Sequence, residues 1–363
     1  MSTRRDDDLL TMMLQDMPQA PELYRPTRFW IEASKLILRD LQRHGVSSFR
    51  SHRSARRMYV PQYANRPLTV ALRNLLAMAG LLGRLVGIQP RRIEIAKRLL
   101  MNVVDGTNQA FADYRVLVAA ESDRPPRLLG LSESQYGSPP EHYCFDGHRY
   151  SESFLRYLVG LAYLKKMVDT ERFESALEIG GGYGTLGEIL LSCGEREYFY
   201  VNVDIPPLSF ISTRYLQGVF GADAVASYAE TRDMERIDLD DLRRRYRAVV
   251  LCSWQLPRVR GAVDLFVNIA SFQEMEPRVV ENYVRHVQPL TRRWALLRNR
   301  ARGKPVVTAS GGIGVDTPTV RTHYLDYFAE FDLVASDATT SGTPNLDGNP
   351  TETMVLRRKD SRD

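Results

Sequence analysis

The sequence predicts an α/β fold, a mostly parallel and doubly wound sheet preceded by a helical region, and three observations predict it. From residue 175 onward, short apolar runs alternate with segments of helical period. A glycine run, Gly180 to Gly184, follows the first of those runs directly, as at a strand-to-helix turn beside a ligand. Before residue 122, by contrast, apolar positions recur at helical spacing and are punctuated by Pro18, Pro21, Pro26, Pro61, Pro67 and Pro90.

Taken in order, 28–44 (RFWIEASKLILRDLQRH) and 68–86 read as helices. Residues 123–152, rich in Pro, Gly, Ser and aromatics and without a sustained period, read as an irregular connector. A helix over 153–168 follows, then a strand at 175–179, the glycine loop, and a helix over 185–193. A second strand, 198–203, ends at Asp204 and is broken by Pro206 and Pro207. Further strands fall at 248–252, 263–269 and 294–297, with a helix over 277–287. The strand-like segments 331–335 and 352–356, joined by the turn-rich ATTSGTPNLDGNPT, close an antiparallel pair at the sheet edge. The run 232–247 alternates charge sign and reads as a solvated helix face.

At 363 residues, 44% apolar and 26% charged, the chain has the composition of an ordinary globular protein of about two domains. The expected division is a helical region at 1–122, the connector at 123–152 and an α/β domain at 153–363. Three widely spaced cysteines, Cys144, Cys193 and Cys252, support neither a disulfide framework nor a thiolate zinc site. Arg73 and Arg84 interrupt the most apolar stretch, so no membrane span is expected, and without a secretory leader the cytoplasm is the expected location. The net charge is +5, but 43 of the 49 basic residues are Arg, a bias that coding composition alone can produce, so nucleic acid is not an expected partner. The basic segment His52 to Arg57 (HRSARR) could bind a phosphate or RNA, although a solvated helix face is the expected reading.

The chemistry concentrates in ALEIGGGYG, residues 176–184. Gly180, Gly181, Gly182, Tyr183 and Gly184 form a loop whose backbone can approach a ligand, behind which a helix opens with free N–H groups. Gly182, Gly184 and Gly187 match G-x-G-x-x-G with Asp204 downstream, so a nicotinamide cofactor has to be weighed. Against it, the glycine run begins at Gly180, two residues out of register with that fingerprint, and Glu178 lies inside the strand just before the loop. A carboxylate there suits a ligand with an ammonium and a sulfonium better than a pyrophosphate.

With those residues the sequence resembles the class I S-adenosylmethionine-dependent methyltransferases. The blocks LEIGGGYGTLGEILL, YVNVDIPP, CSWQLP and VDLFVNIASFQEM, in that order, are similar to the bacterial sugar O-methyltransferases of natural-product and glycan pathways. The resemblance spans about residues 140–358 and implies a Rossmann-like sheet. It also implies S-adenosylmethionine as cofactor, S-adenosylhomocysteine as product and methyl transfer to a hydroxyl of a sugar or glycosylated natural product. It places Asp204, with Ile205 after it, at the cofactor's ribose, and Ser253, Trp254 and Gln255 beside its adenine. Gly180, Gly182 and Gly184 would cradle its methionine part, with Glu178 near the amino group or ordering the loop.

In an open parallel sheet ligands lie beyond the carboxyl ends of the strands, so Ser271, Gln273 and Glu274 should face the acceptor. Glu274 is the first candidate for general base, His323 the second and His142 the third. No metal is expected, since the fourth strand offers Asn268 and Glu274 without a compact acidic pair, and the six histidines make no HxH or HExxH spacing. The apolar N-terminal helices could cover the acceptor pocket or build a homodimer interface. Three other readings compete: a methyltransferase of another small-molecule class acting at oxygen or nitrogen, a non-catalytic cofactor-binding protein, and, more distantly, a nicotinamide oxidoreductase.

Overall fold

The computed structural model describes residues 2–64, 71–72, 74–79, 89–307, 313–338 and 348–360. Its N-terminal part is helical, with α1 at Ser2–Asp16, α2 at Arg28–His44, α3 at Arg53–Met58, α4 at Pro90–Val104 and α5 at Thr107–Ala120. The segment expected as a helix at 68–86 lies largely outside the described residues; those described within it, 71–72 and 74–79, are helical. The connector is not wholly irregular. Two three-residue strands, β1 (Tyr143–Phe145) and β2 (His148–Tyr150), pair as an antiparallel hairpin too short for a sequence period to register.

Helix α6 (Glu152–Met167) begins at Ser151, whose side chain caps the N–H of Phe154. Beyond it the chain builds the main sheet from β3 (Ser175–Ile179), β4 (Phe199–Asp204), β5 (Val225–Ala226), β7 (Ala248–Cys252), β9 (Val263–Ile269), β10 (Thr291–Arg300), β11 (Phe331–Asp337) and β12 (Thr351–Arg358). Two short strands, β6 (Ile237–Asp238) and β8 (Val259–Arg260), pair separately. The main sheet has eight strands in the order β11-β12-β10-β9-β3-β4-β7-β5. From β5 to β10 the pairs are parallel, while β12 runs antiparallel to both β10 and β11. This is the mostly parallel Rossmann-like sheet with an antiparallel edge that the alternation of segments predicts.

Every residue of β3, β4, β7 and β9 is buried, because helices cover both faces. Alternate residues divide between two cores. Ala176, Tyr200, Val250 and Leu265 point into one with Phe154 and Leu158 of α6, Leu186 of α7 (Thr185–Ser192) and Ile211 of α8 (Leu208–Phe220). Leu177, Val201, Val249 and Phe266 point into the other with Val280, Tyr283 and Val284 of the helix Pro277–Leu290. Trp30 and Ile37 of α2, Ala55 of α3 and Tyr114 and Leu117 of α5 join the first core, so the N-terminal helices pack onto the α6 side of the sheet.

Two expectations change. The run 232–247 is not one helix face: it holds β6 and a single helical turn at Leu239–Arg243, started by the Asp238 carboxylate on the N–H groups of Asp240 and Asp241. The strand expected at 294–297 extends over ten residues, Thr291–Arg300; arginines at 292, 293, 298 and 300 hide its ends from an apolar pattern. Among the described residues no helix is long and apolar enough to cross a membrane.

Candidate active site

The chain leaves β3 toward β4 and β7 on one side and returns to β9 and β10 on the other. The carboxyl ends of β3 and β9 therefore flank a topological switch point, where helices diverge and leave a crevice. A cavity of about 870 Å³ opens there, lined by the glycine loop, the ends of β4, β9 and β10, and residues of α3, α5 and α6.

Gly180 and Gly182 hold left-handed backbone, with φ of +71° and +58°. A methyl on Gly180 would overlap Ser271 Oγ, whereas one on Gly182 would meet nothing within 4 Å, so the Gly182 backbone faces open space. The loop is fixed from below. The N–H groups of Gly180, Gly181 and Gly182 donate to Val203 O (2.8 Å), Asn202 Oδ1 (3.2 Å) and Asp204 Oδ2 (2.9 Å). Asp204 Oδ1 accepts from its neighbour's N–H, Ile205, at 2.7 Å. Gly181, Tyr183, Asp204 and Ile205 all line the cavity. Burial, with Glu178 and Glu274 adding negative potential, pushes the Asp204 carboxyl up to about 8.

Glu178 is fully buried beneath the loop and does not line the cavity. The hydroxyls of Tyr157 and Tyr200 donate to its two oxygens, each at 2.6 Å, and burial pushes it up to about 7. Both its oxygens are thus engaged by tyrosine hydroxyls of α6 and β4 beneath the loop. Gly184, the third glycine of the cradle, starts α7 and lies outside the cavity lining.

Beyond β9 the chain turns at Ala270, a non-glycine residue at φ +63°, so the strand end stores backbone strain next to the cavity. Ser271, Gln273 and Glu274 all line it. Ser271 Oγ donates to Ile179 O at 2.9 Å, and Gln273 Oε1 accepts from Arg300 N at 2.8 Å, so both also tie strands together. Glu274 faces Lys304 Nζ at 3.2 Å, with the Trp30 side chain as a further partner. Burial raises its carboxyl to about 7, against the pull of Lys304 and Arg156.

The structure does not bring the remaining sequence candidates to the cavity. Ser253 Oγ donates to Tyr24 O (2.6 Å) and Trp254 Nε1 to the Tyr228 hydroxyl (3.2 Å). Gln255 bridges Cys252 N and Thr231 Oγ1. All three serve the turn after β7. His323 Nδ1 accepts from Val320 N at the start of a short helix, with its ring stacked on Tyr327. His142 lies 3.2 Å from Glu133, in a buried cluster where Glu133 also pairs with Arg50.

Sequence reasoning missed the rest of the lining. Arg56 and Arg57, expected on a solvated face, border the cavity together with Tyr63, Asp113, Arg156, Arg298, Arg300 and Lys304. Among the described residues no group of three or more His, Cys, Asp or Glu is placed to hold a metal ion.

No family model matches this chain, and no curated protein matches its sequence. Among solved structures it is similar to the mitomycin 7-O-methyltransferase MmcR, with 13% identity over 57% of this chain and 58% of that one and a TM-score of 0.34. The magnesium protoporphyrin IX methyltransferase ChlM from Synechocystis PCC 6803 gives 12% identity over 57% and 80%, with a TM-score of 0.37. For NcsB1, an O-methyltransferase from neocarzinostatin biosynthesis, the values are 12%, 56%, 55% and 0.35. The chain thus spans less than two thirds of the length of MmcR.

Proposed function

We propose that this chain is an S-adenosylmethionine-dependent O-methyltransferase that modifies a hydroxyl of a sugar or glycosylated natural product. The observation that carries the reading is one cavity bordered on one side by the open Gly182 backbone and Asp204 and on the other by Glu274. The volume lies toward the upper end of the ~300–1,000 Å³ range of small-molecule sites and leaves room for a nucleoside and an acceptor together.

The residues present suit that cofactor. Each Asp204 oxygen takes one backbone N–H, which leaves lone pairs for a ribose diol, and Gly182 offers approach without a side chain in the way. When bound, the cofactor would supply a sulfonium methyl to the acceptor oxygen, with its sulfur released as a neutral thioether. Glu274 takes the hydroxyl proton, and its raised carboxyl is matched to that task near neutral pH. The strained Ala270 turn and the Gln273–Arg300 bond hold the base on rigid strand ends, so that orientation contributes alongside proton removal. The helical region at 1–122 supplies the acceptor side of the cavity through α3 and α5.

The deciding experiment is a thermal melt of the full chain with S-adenosylhomocysteine, with NAD as control, repeated for Asp204→Ala. At about 100 times its dissociation constant the ligand adds roughly 2.7 kcal/mol of apparent stability. A shift with S-adenosylhomocysteine that Asp204→Ala weakens at least tenfold in affinity, and none with NAD, is expected. No shift in folded, cofactor-free protein overturns the reading.

A further inference from the structure

Tyr183 is the only residue of the loop 180–184 with a side chain, so it is the one point at which the loop can be gripped other than by its backbone. It lines the cavity and is 2% exposed. What encloses its ring comes largely from the N-terminal region. The turn Phe49–Ser51, between α2 and α3, carries Phe49 and Arg50, both fully buried. The Phe49 ring lies 5.7 Å from that of Tyr183, and the Arg50 guanidinium 5.0 Å from its centroid. Tyr215 of α8 meets the same ring edge-on at 5.0 Å. Arg50 Nη2 and Glu133 Oε1 stand 3.4 and 3.5 Å from the Tyr183 hydroxyl.

The connector holds this arginine in place. Arg50 N donates to Gly137 O at 2.9 Å, and a methyl on Gly137 would overlap the Phe49 ring. Glu133 pairs with the Arg50 guanidinium, and neither side chain has exposed surface. The same carboxylate accepts from Ser151 N at 2.8 Å and Ser151 Oγ at 3.0 Å, and so reaches the cap of α6, whose Tyr157 holds Glu178 beneath the loop. Three segments far apart in sequence therefore converge behind Tyr183. A buried ion pair adds little stability over apolar packing of the same shape. A planar guanidinium stacked on a ring and forked onto a carboxylate does, however, fix the orientation of both.

We propose that Arg50 and Glu133 are positioning residues for the cofactor, fixing the Tyr183 ring and, through it, the backbone of Gly180 to Gly184. The helical region then serves the cofactor side of the cavity as well as the acceptor side. The proposal rests on the methyltransferase reading for the identity of the ligand, but the hold on the loop is testable without it.

The test compares two double variants of the full chain. Arg50→Met with Glu133→Gln removes both charges together, so no unpaired charge stays buried, and the new amide still accepts from Ser151 N. The control, Lys165→Met with Glu121→Gln, removes an ion pair of similar burial, 0% and 8% exposed, outside the cavity lining. S-adenosylhomocysteine affinity and hydrogen exchange of the 180–184 amides in ligand-free protein are read for each. The Arg50/Glu133 variant is expected to bind about tenfold more weakly and to exchange those amides about tenfold faster. The control should stay within about twofold of wild type in both, even as its melting temperature falls. Arg50→Lys, which keeps the charge and loses the planar fork, should shift both readouts the same way by less, and serves if the double variant does not fold. Wild-type affinity and exchange in the Arg50 variants overturn the proposal. So do equal losses in the two double variants, since the losses then follow stability alone. Absence of S-adenosylhomocysteine binding in the wild type overturns the cofactor reading, and the exchange comparison then decides the hold on the loop by itself.

Discussion

With Glu274 as the proposed base, Glu274 and Lys304 set the pH at which this site would work. A buried carboxyl raised to about 7 is half ionised near neutrality, and only the ionised form accepts a proton. The turnover rate should therefore climb as pH rises through about 7 and level off above it. Lys304, 3.2 Å away, favours the ionised form, so Lys304→Met should move that limb to higher pH, since the removed cation no longer opposes desolvation. Glu274→Gln should lower kcat by about 100-fold or more while S-adenosylhomocysteine affinity stays within a few-fold. Rate profiles of the three proteins with a working acceptor check both statements. An unchanged limb in Lys304→Met, or full activity in Glu274→Gln, would leave orientation as the source of the acceleration.

The glycine loop and the strand ends around it separate stability from binding. Gly180 and Gly182 have similar left-handed backbone, but only Gly180 is closed over by another side chain, Ser271. Gly180→Ala should cost roughly 1–3 kcal/mol, combining backbone strain with overpacking against a serine that bridges β3 and β9. Gly182→Ala carries the backbone strain alone and puts its methyl into the cavity, so it should lose more cofactor affinity than stability. Urea unfolding and S-adenosylhomocysteine titration of the two variants give opposite rank orders if this assignment holds. The same local compactness explains what the sequence made legible. Glycine loop, Asp204 and the Ser271–Glu274 turn are each contiguous motifs at the ends of fully buried apolar strands, so pattern alone locates them. The arginines of the cavity lining come from separate elements, among them α3, α6 and β10 at residues 56, 156 and 298, and with 43 arginines in the chain no single one stands out. Trp254 misleads for the opposite reason: it follows a strand at the expected place, yet its indole nitrogen is satisfied by Tyr228 in the turn after β7.

Among the described residues, carboxyls raised by burial shape how stability depends on pH. Glu178, Glu188 and Glu274 are raised to about 7 and Asp204 to about 8, chiefly by burial, with Glu133 also raising Glu188. Their ordinary values are 4.5 for Glu and 3.8 for Asp. Between those values and the raised ones, the folded chain binds more protons than the unfolded chain, so stability falls as pH rises through 7 and 8. On the acid side the trend meets opposition. Burial lowers His52 and His286 from 6.5, and such groups destabilise the fold as pH drops below that value. Glu133, held low by Arg50, adds to the loss only nearer its ordinary value of 4.5. The clean window is therefore pH 8.5 to 6.5, where the ligand-free protein should melt at progressively higher temperature as pH falls. Asp204→Asn removes the highest of the four and should flatten the part of that slope between pH 7.5 and 8.5. A melting temperature that is constant or rises with pH across the window would mean that these carboxyls are ionised in the fold.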